Sequence, residues 1–91
     1  MATVHNKKDD PISNEVRLRQ LTVDEALIKL DKYLNDAFMA GLSQIKVIHG
    51  KGTGTIRQVT REYLAQHPLV ISYRTGDYGE GGDGVTIVEL A

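Results

Sequence analysis

Cysteine and tryptophan are absent from this 91-residue chain, proline occurs twice, and the aromatic side chains are four tyrosines and one phenylalanine. Without cysteine there is neither a disulfide framework nor a thiolate metal site, which fits a reducing compartment such as the cytoplasm. With Tyr73 expected to face inward and Tyr78 left as the one exposed loop aromatic, so few aromatics predict no platform on which single-stranded bases would stack. No apolar run approaches the roughly 20 residues of a membrane span, and the polar start Met1-Ala2-Thr3-Val4-His5-Asn6-Lys7-Lys8 is no secretory signal. A membrane is therefore not an expected partner. An excess of one charge is also missing: 11 Lys and Arg face 12 Asp and Glu, for a net charge of −1. Contact with a polyanion must then rest on a local basic patch.

What the chain does have is glycine, placed with purpose. Ile48-His49-Gly50-Lys51-Gly52-Thr53-Gly54 lies between a β-branched strand pattern and an amphipathic helix pattern. Glycines let the backbone turn and present its N–H groups, and a helix start adds unpaired donors and the positive end of a dipole. Such a place binds anions, phosphate above all. His49 adds a group that can exchange a proton near neutral pH, and Lys51 a charged donor. The loop matches neither nucleotide signature. A dinucleotide fingerprint, G-x-G-x-x-G, needs glycine at position 55, where threonine stands, and a Walker A loop needs its lysine after the last glycine.

Hydrophobic periodicity supplies the frame. Residues 1–13 lack it and read as a tail or linker, with the ordered domain expected over 14–91. Glu15 to Arg19 alternates as a first strand. Thr22-Val23-Asp24-Glu25 is a capping box, and Val23, Ala26, Leu27, Leu30, Leu34, Ala37 and Phe38 recur at helical spacing until Gly41. A second strand, Gln44 to Ile48, runs into the glycine loop. A second helix carries Ile56, Val59, Tyr63 and Leu64 on one stripe and stops before Pro68. Strands follow at Leu69 to Arg74 and Val85 to Leu90, separated by a segment too glycine-rich for regular structure.

The order β-α-β-α-β-β predicts an α/β two-layer sandwich: a four-stranded mixed sheet with both helices on one face. The first three strands are expected to pair in parallel, and the last to return antiparallel. Val16, Leu18, Ile45, Val47, Ile71 and Tyr73 would face the helices. Arg17, Arg19, Lys46, Ser72 and Arg74 would form a basic open face, which simple solvation explains slightly better than binding does. Asp77, Glu80 and Asp83 could gather a hard cation, but their spacing misses the calcium-loop pattern and a solvated loop accounts for them better. Arg57 and Arg61, one helical turn apart, read as part of a solvated face with Glu62, and Arg57 stands near enough to the helix start to reach a bound backbone. His5 and His67 do not read as ligands.

Five segments together resemble the Smr domain, the small MutS-related module found at the C-terminus of the second type of bacterial MutS protein. They are Val23-Asp24-Glu25-Ala26-Leu27, Leu30-Asp31-Lys32-Tyr33-Leu34, Val47 through Gly54, His67-Pro68-Leu69-Val70 and Gly79 through Thr86. The resemblance implies a fold like the C-terminal domain of the third bacterial translation initiation factor. It also implies binding to branched or duplex DNA or to structured RNA such as the ribosome, and in many members a nicking endonuclease activity. Parent proteins join the domain to an ATPase core and act in suppressing recombination or handling collided ribosomes. By that resemblance His49, Gly50 and Gly52 correspond to the H-G-x-G motif, and Arg19 to the basic residue ending the first-strand motif. That motif usually reads Leu-Asp-Leu-Arg/His-Gly, whereas this chain has Val16-Arg17-Leu18-Arg19-Gln20. A guanidinium replaces the carboxylate that would serve as a base or metal ligand.

Two functions follow. In the first, a nuclease uses His49 and Lys51 catalytically, binds phosphate through Arg17, Arg19, Gly50, Gly52, Thr53, Gly54, Arg57 and Arg74, and draws on Mg²⁺ or Mn²⁺ if it uses a metal. In the second, the same surface docks a MutS-like ATPase onto nucleic acid without cutting it. A third, blander alternative is a protein-interaction domain working through its helical face.

Overall fold

The computed structural model describes residues 12–91. The elements run β1 (Glu15–Arg17), α1 (Val23–Met39), β2 (Gln44–Ile48), α2 (Thr55–Gln66), β3 (Val70–Thr75) and β4 (Val85–Leu90). The tail expected over 1–13 lies almost wholly outside the described residues. Ser13 is already tied to the domain, because the Tyr33 hydroxyl donates to its carbonyl at 2.6 Å.

Helix α1 starts and stops as its sequence dictates. The Thr22 hydroxyl accepts from the Glu25 N–H, and the Glu25 carboxylate accepts from the Thr22 N–H. At the other end Gly41, at φ 80°, lets the Gly41 N–H reach the Phe38 carbonyl and the Leu42 N–H reach that of Ala37. Both orphaned ends are thereby satisfied.

The sheet is mixed and four-stranded, in the order β1-β2-β4-β3. Strand β1 pairs parallel with β2, and β4 runs antiparallel to both β2 and β3. The two-layer α/β architecture is therefore as expected, with one correction. Strand β3 keeps the parallel direction but does not touch β2, because β4 is inserted between them. Both helices cover one face. Ala26, Leu30, Leu34 and Ala37 of α1 and Leu64 of α2 join Val16, Ile45, Val47, Val88 and Leu90 of the sheet in a single core. Burying each of the larger side chains contributes about 1.5–3 kcal/mol.

Two expected core residues fall outside it. The register slips between Val70 and Ser72, and Ile71, thrown out by that bulge, is 67% exposed. Tyr73 stands opposite the buried Val88, so it does face the helix layer, but β3 is an edge strand and the ring remains 36% exposed. The segment after β3 is also more regular than its glycine content predicts. It forms two short 3₁₀ turns, Tyr78–Glu80 and Gly82–Gly84, the first closed by an Asp77–Glu80 capping box. This segment folds back over β4, where a Cβ at Gly81 would stand 2.5 Å from Val85 Cγ2.

Polar contacts join the end of α2 to the middle of α1. The Tyr63 hydroxyl and the His67 ring both turn to the Asp31 carboxylate, the latter at 3.6 Å, while His67 Nδ1 accepts the Leu69 N–H. Burial, followed by this carboxylate, raises the Tyr63 pKa to about 12. His67 is accounted for as a clasp between α1 and α2.

Candidate functional site

The carboxyl end of β2 delivers the glycine loop to the start of α2, and the loop is fastened from below by β4. The N–H groups of His49 and Gly50 both donate to the Gly84 carbonyl, at 3.1 and 2.9 Å. Gly50 adopts φ 77° and Gly54 φ 87°, a region in which a side chain would be strained. The turn leaves donors without partners. Among the described residues, the N–H groups of Lys51, Gly52, Thr53, Ile56 and Arg57 find no acceptor. The residues that carry them are among those, 49–57, that line a concavity of about 40 Å³. A water occupies roughly 30 Å³ of liquid, so the hollow admits an oxygen-sized group, not a base. Its donors and scale suit one phosphate oxygen.

His49 is placed differently from a free acid–base group. It is 5% exposed, and both ring nitrogens are engaged. Gly50 O can only accept, so Nδ1–H donates to it at 3.0 Å; the neutral ring then accepts at Nε2 from the Thr86 hydroxyl at 2.8 Å. Burial is the main cause holding its pKa below the ordinary histidine value. The bond to Gly50 offsets this in part, and the Arg61 and Arg57 charges add to the depression. The neutral ring is a brace between β2, the loop and β4.

Cations surround the loop. The strand pattern places Arg19 on the open face of the sheet, but β1 ends at Arg17 and the chain turns at Gln20, whose φ is 66°. The Arg19 stem is thereby laid against the loop, where a Cβ on Gly50 would stand 3.3 Å from Arg19 Cγ. Arg57 folds back over Gly54, with Nη2 3.7 Å from where a Cβ would be. Lys51 is exposed on the loop itself. None of these, nor Arg61 one turn along α2, forms an ion pair among the described residues.

Arg17 and Arg74 stand apart, on the other face of the sheet, and both are paired. Arg17 lies 3.7 Å from Glu15. Arg74 makes a two-pronged contact with Glu80, at 2.8 and 3.0 Å, and lies 3.7 Å from Asp77. The Arg74 guanidinium, then the Asp77 N–H, hold the Glu80 carboxyl down at about 2. Glu80 is thus committed to Arg74 and the turn. Among the described residues no three His, Asp or Glu side chains converge to hold a metal, so Asp77, Glu80 and Asp83 do not form a cation site.

Sequence reasoning passes over a groove beside the loop. Its volume is about 640 Å³, and Arg57, Arg61 and Ala65 of α2 face Tyr73 of β3 across it. The spacing of Arg57 and Arg61, one helical turn apart on the helix that opens at the loop, is the signal that could have found it.

With that geometry in view, comparison with known proteins is informative. The model of the Smr domain family matches residues 16–91. A protein named Endonuclease MutS2 from Caldicellulosiruptor bescii is 52% identical over 83 residues, covering 91% of this chain and 10% of that protein. The Endonuclease MutS2 of Pelotomaculum thermopropionicum is 52% identical over all 91 residues, which make up 12% of its length. The chain thus spans about a tenth of these curated relatives. Among solved structures, the Smr domain of Thermus thermophilus MutS2 superposes with a TM-score of 0.83 at 49% identity, covering 85% of this chain and 96% of that one.

Proposed function

Because the chain belongs to the Smr domain family, we propose that it grips the phosphodiester backbone of DNA or RNA at the glycine loop and nicks the strand held there. In this proposal it serves as the nucleic-acid-handling domain of a MutS-like ATPase that suppresses recombination or rescues collided ribosomes in the cytoplasm. The observation that carries it is the gathering of Arg19, Lys51 and Arg57, none with an ion pair among the described residues, about a glycine loop whose N–H groups are largely unbonded. These groups bind a phosphate in the ground state. They would hold the extra negative charge of the pentavalent transition state more strongly, which is the condition for catalysis.

In the cleaving reaction Lys51 and Arg19 stabilise that charge, and His49 either moves the proton or fixes the loop. Attack by water cuts DNA and RNA alike. Attack by the ribose 2′-hydroxyl cuts RNA alone and leaves a 2′,3′-cyclic phosphate. Among the described residues no three His, Asp or Glu side chains converge to hold Mg²⁺ or Mn²⁺, so no step is assigned to a metal.

A second function is favoured by one observation. Both His49 nitrogens are occupied within the fold, and position 17 carries a guanidinium in place of a carboxylate. A domain built in this way docks its parent protein on nucleic acid without cutting it. Supercoiled plasmid, branched DNA and structured RNA, each incubated with Mg²⁺, with Mn²⁺ and with chelator, separate the two. Nicks that disappear in Lys51→Ala support the nuclease. Tight binding with no product under every condition assigns the domain to docking.

A further inference from the structure

We infer that the groove between α2 and β3 is a second nucleotide subsite, which takes the unpaired nucleotide next to the phosphate held in the glycine loop. This rests on the proposal that the loop binds a nucleic-acid backbone. The loop hollow is small, so the rest of a strand held there must leave it along a neighbouring surface. The groove shares Thr53, Gly54, Thr55 and Arg57 with that hollow, and so continues it without a break. Its volume of about 640 Å³ lies within the roughly 300–1,000 Å³ typical of small-ligand sites.

The side chains are of the right kinds. Arg61 is fixed by donating from Nη2 to the Thr75 hydroxyl, while its buried Nε has no acceptor. It is therefore an oriented cation with no carboxylate at ion-pair distance among the described residues. The one acidic side chain lining the groove, Glu62, accepts from the Gln58 amide at 3.3 Å. Arg57 and Arg61, four residues apart on one helix, are offset by about 6 Å along its axis, comparable to the step between successive phosphates of an extended strand. Facing them, Tyr73 presents a partly exposed ring from the edge strand. Bases stack on such rings whatever their sequence. A duplex keeps its bases in its own stack, so the ring is useful only for an unpaired nucleotide, in DNA or RNA.

The test is fluorescence anisotropy of the whole chain with three labelled probes across a salt series: a 12-mer of thymidine, a 12-mer of uridine and a 12-base-pair blunt duplex. Tyr73→Leu should weaken both single strands about tenfold and the duplex less than twofold, while Tyr73→Phe binds as the parent does. Arg61→Met should lower the single-strand salt slope by about 0.7. The tighter of the two 12-mers identifies the sugar. A measurement on the unaltered protein guards against misfolded variants: a 5-iodouracil strand, irradiated, should crosslink to Tyr73, and crosslinks confined to residues 49–57 would overturn the subsite. Single-strand binding that needs Lys51 but ignores Tyr73→Leu and Arg61→Met removes the subsite and leaves the loop function standing. If no probe binds the parent chain, both fall together.

Discussion

Two groups of cations stand about the β2 end of this sheet, and only one of them is free. Arg17 and Arg74, on the open face, are each matched by a carboxylate of the same or a neighbouring element. Arg19, Lys51, Arg57 and Arg61, around the loop and α2, have no such match among the described residues. On the proposed function, a basic residue's usefulness to a polyanion is set by its partners rather than by its exposure alone. An arginine already sharing its charge with a carboxylate releases few counterions when a phosphate arrives.

The largest effect should come from removing the free group. Arg19→Ala with Lys51→Ala is expected to reduce the duplex salt slope by about 1.8, whereas Arg17→Ala with Arg74→Ala should leave it nearly unchanged. Equal losses in a salt titration of both double variants would break the comparison. The converse experiment liberates a cation. Glu80→Gln keeps an acceptor for the Asp77 N–H but leaves Arg74 without its main counter-charge, so the slope should rise by up to about 0.9.

The loop's brace can be attacked next. Thr86→Val strips the donor from a buried histidine nitrogen and should cost about 1–3 kcal/mol in urea unfolding, with weaker binding at the loop. The same brace gives a pH signature. His49 has a depressed pKa, so below about pH 6.5 the unfolded chain binds the extra proton and the folded chain resists it. Stability is therefore complete above that pH and declines as the pH falls toward the folded pKa, by at most about 1.36 kcal/mol per unit. Urea titrations at pH 7 and pH 5.5 should show that decline in the parent and lose it in His49→Gln. The smallest effect concerns the turn that delivers Arg19. Gln20 holds a left-handed conformation that costs a side chain roughly 1–2 kcal/mol, partly cancelled by glycine's greater freedom when unfolded. Gln20→Gly should raise Tm by a few degrees in a melt, with affinity unaltered.

Much of the frame was legible in the sequence, since caps and periodicity are local. The capping box of α1, the Gly41 stop and the bounds of β2 and β4 follow from neighbouring residues. The place of β4 does not. A strand at the centre and one at the edge present the same alternating pattern, so inserting β4 between β2 and β3 leaves the helix-facing parity intact. The bulge at Ile71 is likewise silent, being a one-residue slip in register. At the site, the loop and Arg57 were legible because strand, glycines and helix are contiguous. Arg19 was misplaced because alternation carries through a turn that only the φ of Gln20 reveals, and the partners that occupy His49, Gly50 O and Thr86 Oγ1, include one 37 residues away in sequence.

That central β4 also sets when the domain can come into being. During synthesis β1, α1, β2, α2 and β3 emerge first, yet β3 has no sheet partner until residues 85–90 have been made. The loop, too, waits for Gly84 and Thr86 to hold it. Folding is then bound to long-range pairing, which is slow. A nascent chain halted before Val85 carries every cation of the loop and groove but no scaffold to aim them, so the proposed grip on phosphate is assembled only once β4 has left the ribosome.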